Sequence, residues 1–347
     1  MTAPSLFAQQ ESNRRRSTWL VIGFVLFFAW VGFGGDLGFY LLTRDSPATS
    51  YHHVIPFIGI VMSLAAAGIC WYSFRKGPAR VLWATGATEI VEATTPARKQ
   101  LVNVVEEMAI ASGIPMPRVW IVADEDPNAF ATGLDQEHAN VVVTEGLLNL
   151  LTRDELQGVV AHEMAHIKNL DVRLMTLLAA MVGAIALMSD GMGRMLGRGS
   201  RFGGGGRSGS SSGKKDGNQL AILILVLWVI SLIIAPIVTR FLAMAVSRKR
   251  EFLADATGSQ FTRNPAALAT ALEKLEGASA PTRSITQGAA HLCIVDPGGA
   301  RLSARAGFLG IFASHPPITQ RITRLNGMAY QHARKAAAIE PAMPGDP

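Results

Sequence analysis

Long apolar runs without charge alternate with polar-patterned segments along the chain. Ser17–Gly35 and Val54–Phe74 contain no charged residue, and each has about 20 residues, the length a helix needs to cross the hydrocarbon core of a bilayer. No small-residue cleavage site follows the first run, so it is interpreted as an uncleaved anchor rather than a signal peptide. We predict two transmembrane helices at about residues 17–37 and 54–74.

The positive charges beside these two runs predict their orientation. Arg14–Arg16 precede the first run, and Arg75, Lys76 and Arg80 follow the second. Because short cytoplasmic flanks carry the excess of lysine and arginine, both flanks are expected in the cytoplasm. The connection between the two helices is then expected on the outer side of the membrane.

Two further apolar runs lie at about residues 174–189 and 220–243, and the sequence does not determine how deeply they enter the membrane. The first is short for a span and the second contains Pro236, so buried core helices are an alternative. A Gly/Ser-rich connector, residues 201–213, separates them and is typical of a solvated linker, although its role is not assigned. Basic residues around it oppose a full crossing, so the pair either crosses against the charge rule or forms a re-entrant hairpin.

The polar-patterned segments 77–172 and 247–338 together approach the size of one ordinary domain. Their element signals are a proline-started helix after Thr95, β-branched strands at Val119–Val122 and Val141–Thr144, a capping box at Thr152–Glu155 and a helix from Asn264 to Gly277. We predict a mostly α fold with a small β-sheet (α+β), in a multi-pass membrane protein whose cytoplasmic domain is split by the membrane hairpin 173–246. Residues 1–76 then form a tail and two transmembrane helices, and residues 339–347 form a second tail.

The composition agrees with a membrane protein. Hydrophobic residues make up 49% of the chain and charged residues only 17%, below the roughly 25% of soluble domains. The net charge of +6 could indicate a nucleic-acid partner, but the cations cluster beside the apolar runs, so membrane topology explains them and no nucleic acid is expected. Two cysteines are too few for a disulfide scaffold.

The predicted capped helix contains the HExxH pattern, as His162-Glu163-Met164-Ala165-His166. Residues four apart lie on one helical face, so both imidazoles can reach a single metal ion. Glu163 points away from that pair and can address a water bound to the metal. The pattern therefore predicts a metal site on this helix.

A third ligand is needed for an open catalytic zinc site. The metzincin arrangement is excluded, because Asn169 and Val172 stand where its glycine and histidine would be. Glu251 and Asp255, four apart, can present one carboxylate to the metal and another to the back of a ligating histidine, although a solvated acidic pair is the alternative. Asp171 is a further carboxylate nearby, for which a capping or surface role is equally compatible.

These motifs together resemble the HtpX family of membrane-bound zinc metallopeptidases, relatives of the CAAX prenyl endopeptidases. The resemblance lies in HExxH followed distantly by Ser247–Asp255, in Asn128–Gly133, which is similar to the family's substrate-edge motif, and in Ser314–Pro317 with Arg321, similar to its C-terminal motif. The order of elements from about Ser17 to Leu325 matches as well. The Gly/Ser-rich connector departs from the family pattern.

The resemblance implies a zincin-like domain with one Zn²⁺ per chain. It assigns His162, His166 and Glu251 as metal ligands, Glu163 as general base, and His315, or else Arg321, as a donor to the oxyanion or substrate. Asn128, Ala129, Phe130 and Ala131 would pair with an extended substrate. From the residues alone, His315 could equally be a loop histidine, and the Asn128 segment an ordinary turn at a strand end.

The expected function is zinc-dependent endoproteolysis of membrane-associated or unfolded proteins at the cytoplasmic face of a bacterial plasma membrane. Misfolded membrane proteins as substrates and a role in quality control and stress response follow from the resemblance. The alternative is a membrane scaffold or adaptor with a closed, non-catalytic metal site. An intramembrane protease is disfavoured, because polar residues flanking HExxH predict a water-facing helix; they are Arg153, Asp154, Glu155, Lys168, Asn169 and Asp171.

Overall fold

The structure, a computed structural model, describes residues 6–43, 55–177, 226, 228–230, 250–278, 293–294 and 316–339. Most of the two later apolar runs, the whole connector and His315 lie outside these residues. The chain divides into two compact units: Met1–Arg14, Lys76–Thr176 and Ala243–Pro347 make up the first unit, and Arg15–Arg75 and Leu177–Leu242 the second.

The second unit contains the apolar parts of two long helices, α1 (Leu6–Thr43) and α2 (Phe57–Ala84). The segments Gln10–Leu41 and Phe57–Ala84 are long and apolar enough to cross a membrane. α1 extends beyond the predicted span 17–37 at both ends, whereas α2 begins later than residue 54 and continues past residue 74. They touch backbone to backbone at Gly32, where an added Cβ would lie 2.7 Å from the Cα of Gly59.

A buried carboxylate also joins these two helices. The side chain of Asp36 on α1 accepts backbone N–H groups of α2, 2.6 Å from Gly59 and 3.3 Å from Ile58. The first N–H groups of a helix have no partner within the helix and carry partial positive charge. Asp36 therefore satisfies the start of α2 in surroundings where unpaired polar groups are costly.

A four-stranded sheet lies in the first unit. It comprises β1 (Thr88–Glu89), β2 (Arg118–Val122), β3 (Ala129–Thr132) and β4 (Asn140–Thr144), in the order β1-β2-β4-β3. β2 and β4 are parallel, and the other two pairs are antiparallel. The two β-branched runs are thereby confirmed as strands, and β3 lies at one edge of the sheet.

The helices of the first unit begin where the sequence signals place them. Thr95 caps α3 (Pro96–Ser112), the capping box of Thr152 starts α5 (Arg153–Lys168), and Asn264 caps α8 (Pro265–Gly277). Within the described part of this unit, the further helices are α4 (Glu145–Leu150), α6 (residues 171–177), α7 (residues 250–262) and α9 (Ile318–Ile339). The predicted mostly helical fold with a small sheet is confirmed.

The core of the first unit surrounds α5. Val159 and Val160 are fully buried in a cluster with Leu101 of α3, Val141 of β4 and Leu272 of α8. Residues 158–167 of α5, which include HExxH, are all buried, so close packing holds this part of the helix in place.

Candidate metal centre

The two histidines of HExxH converge on one point. Nε2 of His162 and Nε2 of His166 lie 3.2 Å apart, and the side chains are 1% and 7% exposed. The i, i+4 spacing on α5 places both rings on one face of the helix. The predicted pairing of the imidazoles is present in the structure.

Helix α7 brings a carboxylate to the same point. Oε2 of Glu251 lies 3.5 Å from Nε2 of His162, and Oε1 lies 3.5 Å from Nε2 of His166. Gly258, two turns further along α7, permits this approach, because its hypothetical Cβ would lie 3.0 Å from the backbone nitrogen of His162. Tertiary packing of α7 on α5 thus brings together residues that are distant in the sequence.

These three side chains fit a zinc ion. Ligand atoms at 2.0–2.2 Å from a tetrahedral zinc are about 3.3–3.6 Å from each other, close to the observed separations of 3.2 and 3.5 Å. Two imidazole nitrogens and one carboxylate are also the donor set of open catalytic zinc sites. Among the described residues, His162, His166 and Glu251 form the one group of three or more metal-binding side chains.

Each histidine is supported from behind by a carboxylate. Oδ1 of Asp255 lies 2.9 Å from Nδ1 of His162, and Oδ2 of Asp171 lies 3.1 Å from Nδ1 of His166. A carboxylate at Nδ1 holds the proton there and directs the Nε2 lone pair toward the metal position. The structure therefore places Asp255 where the sequence predicted it, and adds Asp171.

Asp171 is the residue whose place the sequence left undecided. It is fully buried and lies five positions after His166, beyond a turn in which Leu170 has φ 58°. A left-handed leucine is uncommon, so nothing in the local sequence announces a turn that directs Asp171 back to the imidazole. The available signal was a carboxylate shortly after the motif.

Arg321 of α9 lies against Asp255. Its Nε and Nη2 donate to the two carboxylate oxygens of Asp255 at 2.9 and 2.7 Å, and its Nη1 donates to the carbonyl of Ile294 at 3.2 Å. Nη1 also lies 3.6 Å from Oε2 of Glu251. Its Nη2 lies 3.4 Å from the ring nitrogens of His162. The role of Arg321 toward substrate stays a prediction.

The buried charges shift the pKa values of the site in opposite directions. Burial alone would raise the pKa of Asp255, but the Arg321 charge and the hydrogen bond from His162 lower it to about 2. Burial alone would lower the pKa of His166, but its hydrogen bonds to Asp171 and Glu251 raise it to about 10. Asp255 is therefore an ionised acceptor at neutral pH.

Glu163 is 1% exposed on α5. Its pKa is raised chiefly by burial, against the lowering effect of the two neighbouring histidines. A carboxylate with a raised pKa is a stronger base than one in water, which suits proton transfer near neutral pH.

The predicted substrate edge has a partner from the chain itself. Asn128, Ala129, Phe130 and Ala131 are all buried, and β3 pairs with β4 on one side. On the other side Phe130 faces Cys293 in an antiparallel bridge, and the N–H of Ile294 donates to the carbonyl of Ala129 at 2.9 Å. Residues 293–294 therefore lie along the edge that a substrate strand would use.

The prediction that α5 faces water holds only in part: Arg153 and Asp154 at its start are exposed and Lys168 at its end is half-buried, but the other three flanking residues are buried. Of the flanking polar residues, Glu155, Asn169 and Asp171 are 7%, 1% and 0% exposed. Glu155 bonds to the backbone of Thr152 and to Lys274, and Asp171 bonds to His166. Polar side chains can be buried when they are hydrogen-bonded, as Glu155 and Asp171 are, so a polar residue beside the motif did not by itself indicate exposure. His315, the other predicted catalytic residue, lies outside the described residues.

A helical HExxH motif whose histidines meet a glutamate from a second helix defines a metallopeptidase. The sequence profile of peptidase family M48 matches residues 96–329 of this chain. The chain belongs to peptidase family M48, and it is a metalloprotease.

Curated relatives match along nearly the whole chain. A protease HtpX homolog of Streptococcus gordonii is 36% identical over 324 residues, covering 93% of this chain and 100% of the relative. A protease HtpX homolog of Tropheryma whipplei is 39% identical over 320 residues, covering 92% and 98%. The resemblance to the HtpX family is confirmed.

Among solved structures, the chain is similar to Ste24p of S. mikatae. The TM-score is 0.44 at 19% sequence identity, and the alignment covers 89% of this chain and 66% of that one. At this TM-score the likeness is too distant to assign a fold. The family assignment rests on the sequence matches.

Proposed function

We propose that this metalloprotease is a zinc endopeptidase that holds one Zn²⁺ between His162, His166 and Glu251. The observation that carries this proposal is the convergence of two Nε2 atoms and one carboxylate at 3.2 and 3.5 Å. The carboxylates behind both imidazoles support it, since ligating histidines commonly donate their other N–H to such a group.

When bound, zinc lowers the pKa of a water molecule and polarises the scissile carbonyl. Glu163 accepts the proton of the attacking water and delivers it to the departing amine. Asp255 and Asp171 hold the two imidazoles so that Nε2 of each faces the ion. The developing oxyanion needs a donor, and His315, or else Arg321, is proposed for that place.

The proposed substrates are membrane-associated or unfolded polypeptides, including misfolded membrane proteins in quality control and stress response. The family match and the two apolar helices support a protease that acts close to a bilayer. We propose that an extended substrate pairs with the outer edge of β3. Because Ile294 donates to Ala129 on that edge, substrate pairing there requires this hydrogen bond to open.

The proposed setting is a bacterial inner membrane, with several spans and a catalytic domain on the cytoplasmic side. In this arrangement residues 77–172 and 247–338 form a domain that residues 173–246 interrupt. Arg14–Arg16 before the first apolar run, and Arg75 and Lys76 after the second, support this orientation.

The orientation is tested by cysteine labelling. With Cys70 and Cys293 replaced by alanine, a cysteine at Ala48 should react with an impermeant maleimide in intact cells. A cysteine at Thr94 should react only after lysis, and the reverse pattern would contradict the orientation.

The catalytic proposal is tested with Glu163→Gln. The full chain is purified in detergent, loaded with zinc and assayed for casein cleavage and bound metal. We expect the variant to keep stoichiometric zinc and to lose cleavage, because Glu163 transfers protons and is not a ligand. Glu251→Gln is the companion, and it should lose zinc affinity as well as activity.

The same assay distinguishes the proposed protease from the scaffold alternative. A scaffold with a closed metal site would bind zinc and show no cleavage in the unaltered protein. Equal cleavage by the unaltered protein and Glu163→Gln would remove Glu163 from the proposed role. Undiminished zinc affinity in Glu251→Gln would place the third ligand elsewhere.

A further inference from the structure

The N-terminal helix reaches the metal centre through one side chain. Asn13 of α1 is fully buried, and its Nδ2 donates to Oδ1 of Asp171 at 2.7 Å. The other carboxylate oxygen of Asp171 lies 3.1 Å from Nδ1 of His166. A continuous chain of hydrogen bonds thus runs from α1 to a metal-binding imidazole.

The same amide also holds the end of the HExxH helix. Nδ2 of Asn13 donates to the carbonyl of Asn169 at 2.8 Å, at the C-terminal end of α5, where carbonyl groups lack partners within the helix. Both neighbours of Nδ2 are acceptors, so the amide nitrogen, and not its oxygen, must face them. One NH₂ group therefore ties together the end of α5 and the carboxylate beyond the turn.

We propose that Asn13 is a positioning residue of the metal centre, acting through Asp171. A carboxylate with one oxygen held by Asn13 cannot rotate freely, so its second oxygen stays directed at Nδ1 of His166. Nε2 then keeps its direction toward the metal position. The N-terminal segment of the chain thereby contributes to metal affinity, although it is far from the HExxH motif in sequence. This inference rests on the proposed zinc site.

The chain offers a matched control one helical turn away. Nε2 of Gln10 donates to the carbonyl of Lys168 at 2.7 Å, so Gln10 also joins α1 to the end of α5. That carbonyl keeps a second donor, Nε2 of Gln136 at 3.0 Å. Gln10→Leu therefore removes a hydrogen bond between the same two helices without changing the contacts of Asp171.

The test measures zinc affinity of the full-length, metal-stripped chain in detergent by competition with a chromophoric chelator. All variants are made in a Glu163→Gln background, so that none cleaves itself. Removing a hydrogen-bonding partner behind a metal ligand typically weakens affinity about 10–100-fold. We expect a loss of about tenfold for Asn13→Leu and of less than about twofold for Gln10→Leu.

A second comparison shows whether Asn13 acts through the carboxylate. In an Asp171→Ala background, Asn13→Leu should cause no further loss of zinc affinity. A folded Asn13→Leu variant with unchanged affinity, or one that shows the same loss without Asp171, would overturn the inference. Circular dichroism and gel filtration show whether each variant is folded. If Asn13→Leu does not fold, Asn13→Ala, which leaves room for water, takes its place in the same comparison. Failure of the parent protein to bind zinc would instead refute the proposed zinc site and this inference together.

Discussion

The imidazoles of His162 and His166 lie between two kinds of carboxylate. Glu251 approaches their Nε2 atoms, while Asp255 and Asp171 approach their Nδ1 atoms. These negative groups outweigh burial and raise the pKa of both histidines, to about 10 for His166. The metal-free protein is therefore expected to hold a second proton on the His166 ring at neutral pH.

This protonation predicts the pH dependence of metal binding. Because zinc needs the lone pair of Nε2 on His166, binding must release the proton held there, and apparent zinc affinity should rise between about pH 6 and pH 9, below the His166 pKa of about 10. Competition titrations of the Glu163→Gln protein across that range, with proton release measured in parallel, provide the check. Affinity that is constant over the range would contradict a protonated His166 in the metal-free site.

Helices α5 and α7 meet at a glycine, and their separation sets the position of Glu251. The hypothetical Cβ of Gly258 would lie 3.0 Å from atoms of both Ala161 and His162, so Gly258→Ala must push α7 away. We expect destabilisation by about 1–3 kcal/mol, the usual cost of overpacking, together with weaker zinc binding because Glu251 moves with its helix. Denaturant unfolding and zinc titration measure the two effects.

Gly277→Ala is the control for this substitution. Among the described residues, no atom outside its chain neighbours and its own helix backbone lies within 4 Å of the Cβ position at Gly277, at the end of α8. Its zinc affinity should match that of the unaltered protein, and its unfolding free energy should be equal or up to about 1 kcal/mol higher, because alanine has the better helix propensity. Equal effects of Gly258→Ala and Gly277→Ala would show that close contact of α5 with α7 does not set the site.

The edge strand β3 gives a prediction about substrate access. Phe130 faces Cys293 across an antiparallel bridge, a position in which paired cysteines can form a disulfide. In a Cys70→Ala background, oxidised Phe130→Cys should lose cleavage of casein, because residue 293 can no longer leave the edge. Reduction of the same sample should restore activity, and cleavage unaffected by oxidation would place the substrate elsewhere.

At the scale of the whole molecule, the metal is expected to stabilise the fold. Its ligands come from α5 and from α7, which are far apart in sequence, so an unfolded chain does not present the site. Zinc at about 100 times its dissociation constant should then add about 2.7 kcal/mol to the free energy of unfolding. Thermal unfolding followed by circular dichroism, with zinc and with a chelator, measures this difference. Identical unfolding curves would contradict it.

The elements that could be predicted from the sequence are those fixed by residues close together in the chain. The capping box at Thr152, the proline-started helices and the β-branched strands are confirmed, because each depends on residues close in sequence. The exposure predicted for the HExxH helix holds only at its start, since part of it was inferred from polar residues whose partners are distant. Glu155, for example, bonds to Lys274 on α8, and no local pattern reveals that pairing.

The sequence by itself determined the chemistry of the site and the apolar helices. The spacing of HExxH places two imidazoles on one helical face, and long uncharged runs form helices that can span a membrane. Both features depend only on local periodicity and composition. Only the tertiary structure decided which carboxylate supports each imidazole, and that Asn13 and residues 293–294 lie beside the centre. Contacts of that kind depend on the packing of distant segments, and packing is decided by the fit of whole surfaces rather than by residues adjacent in the chain.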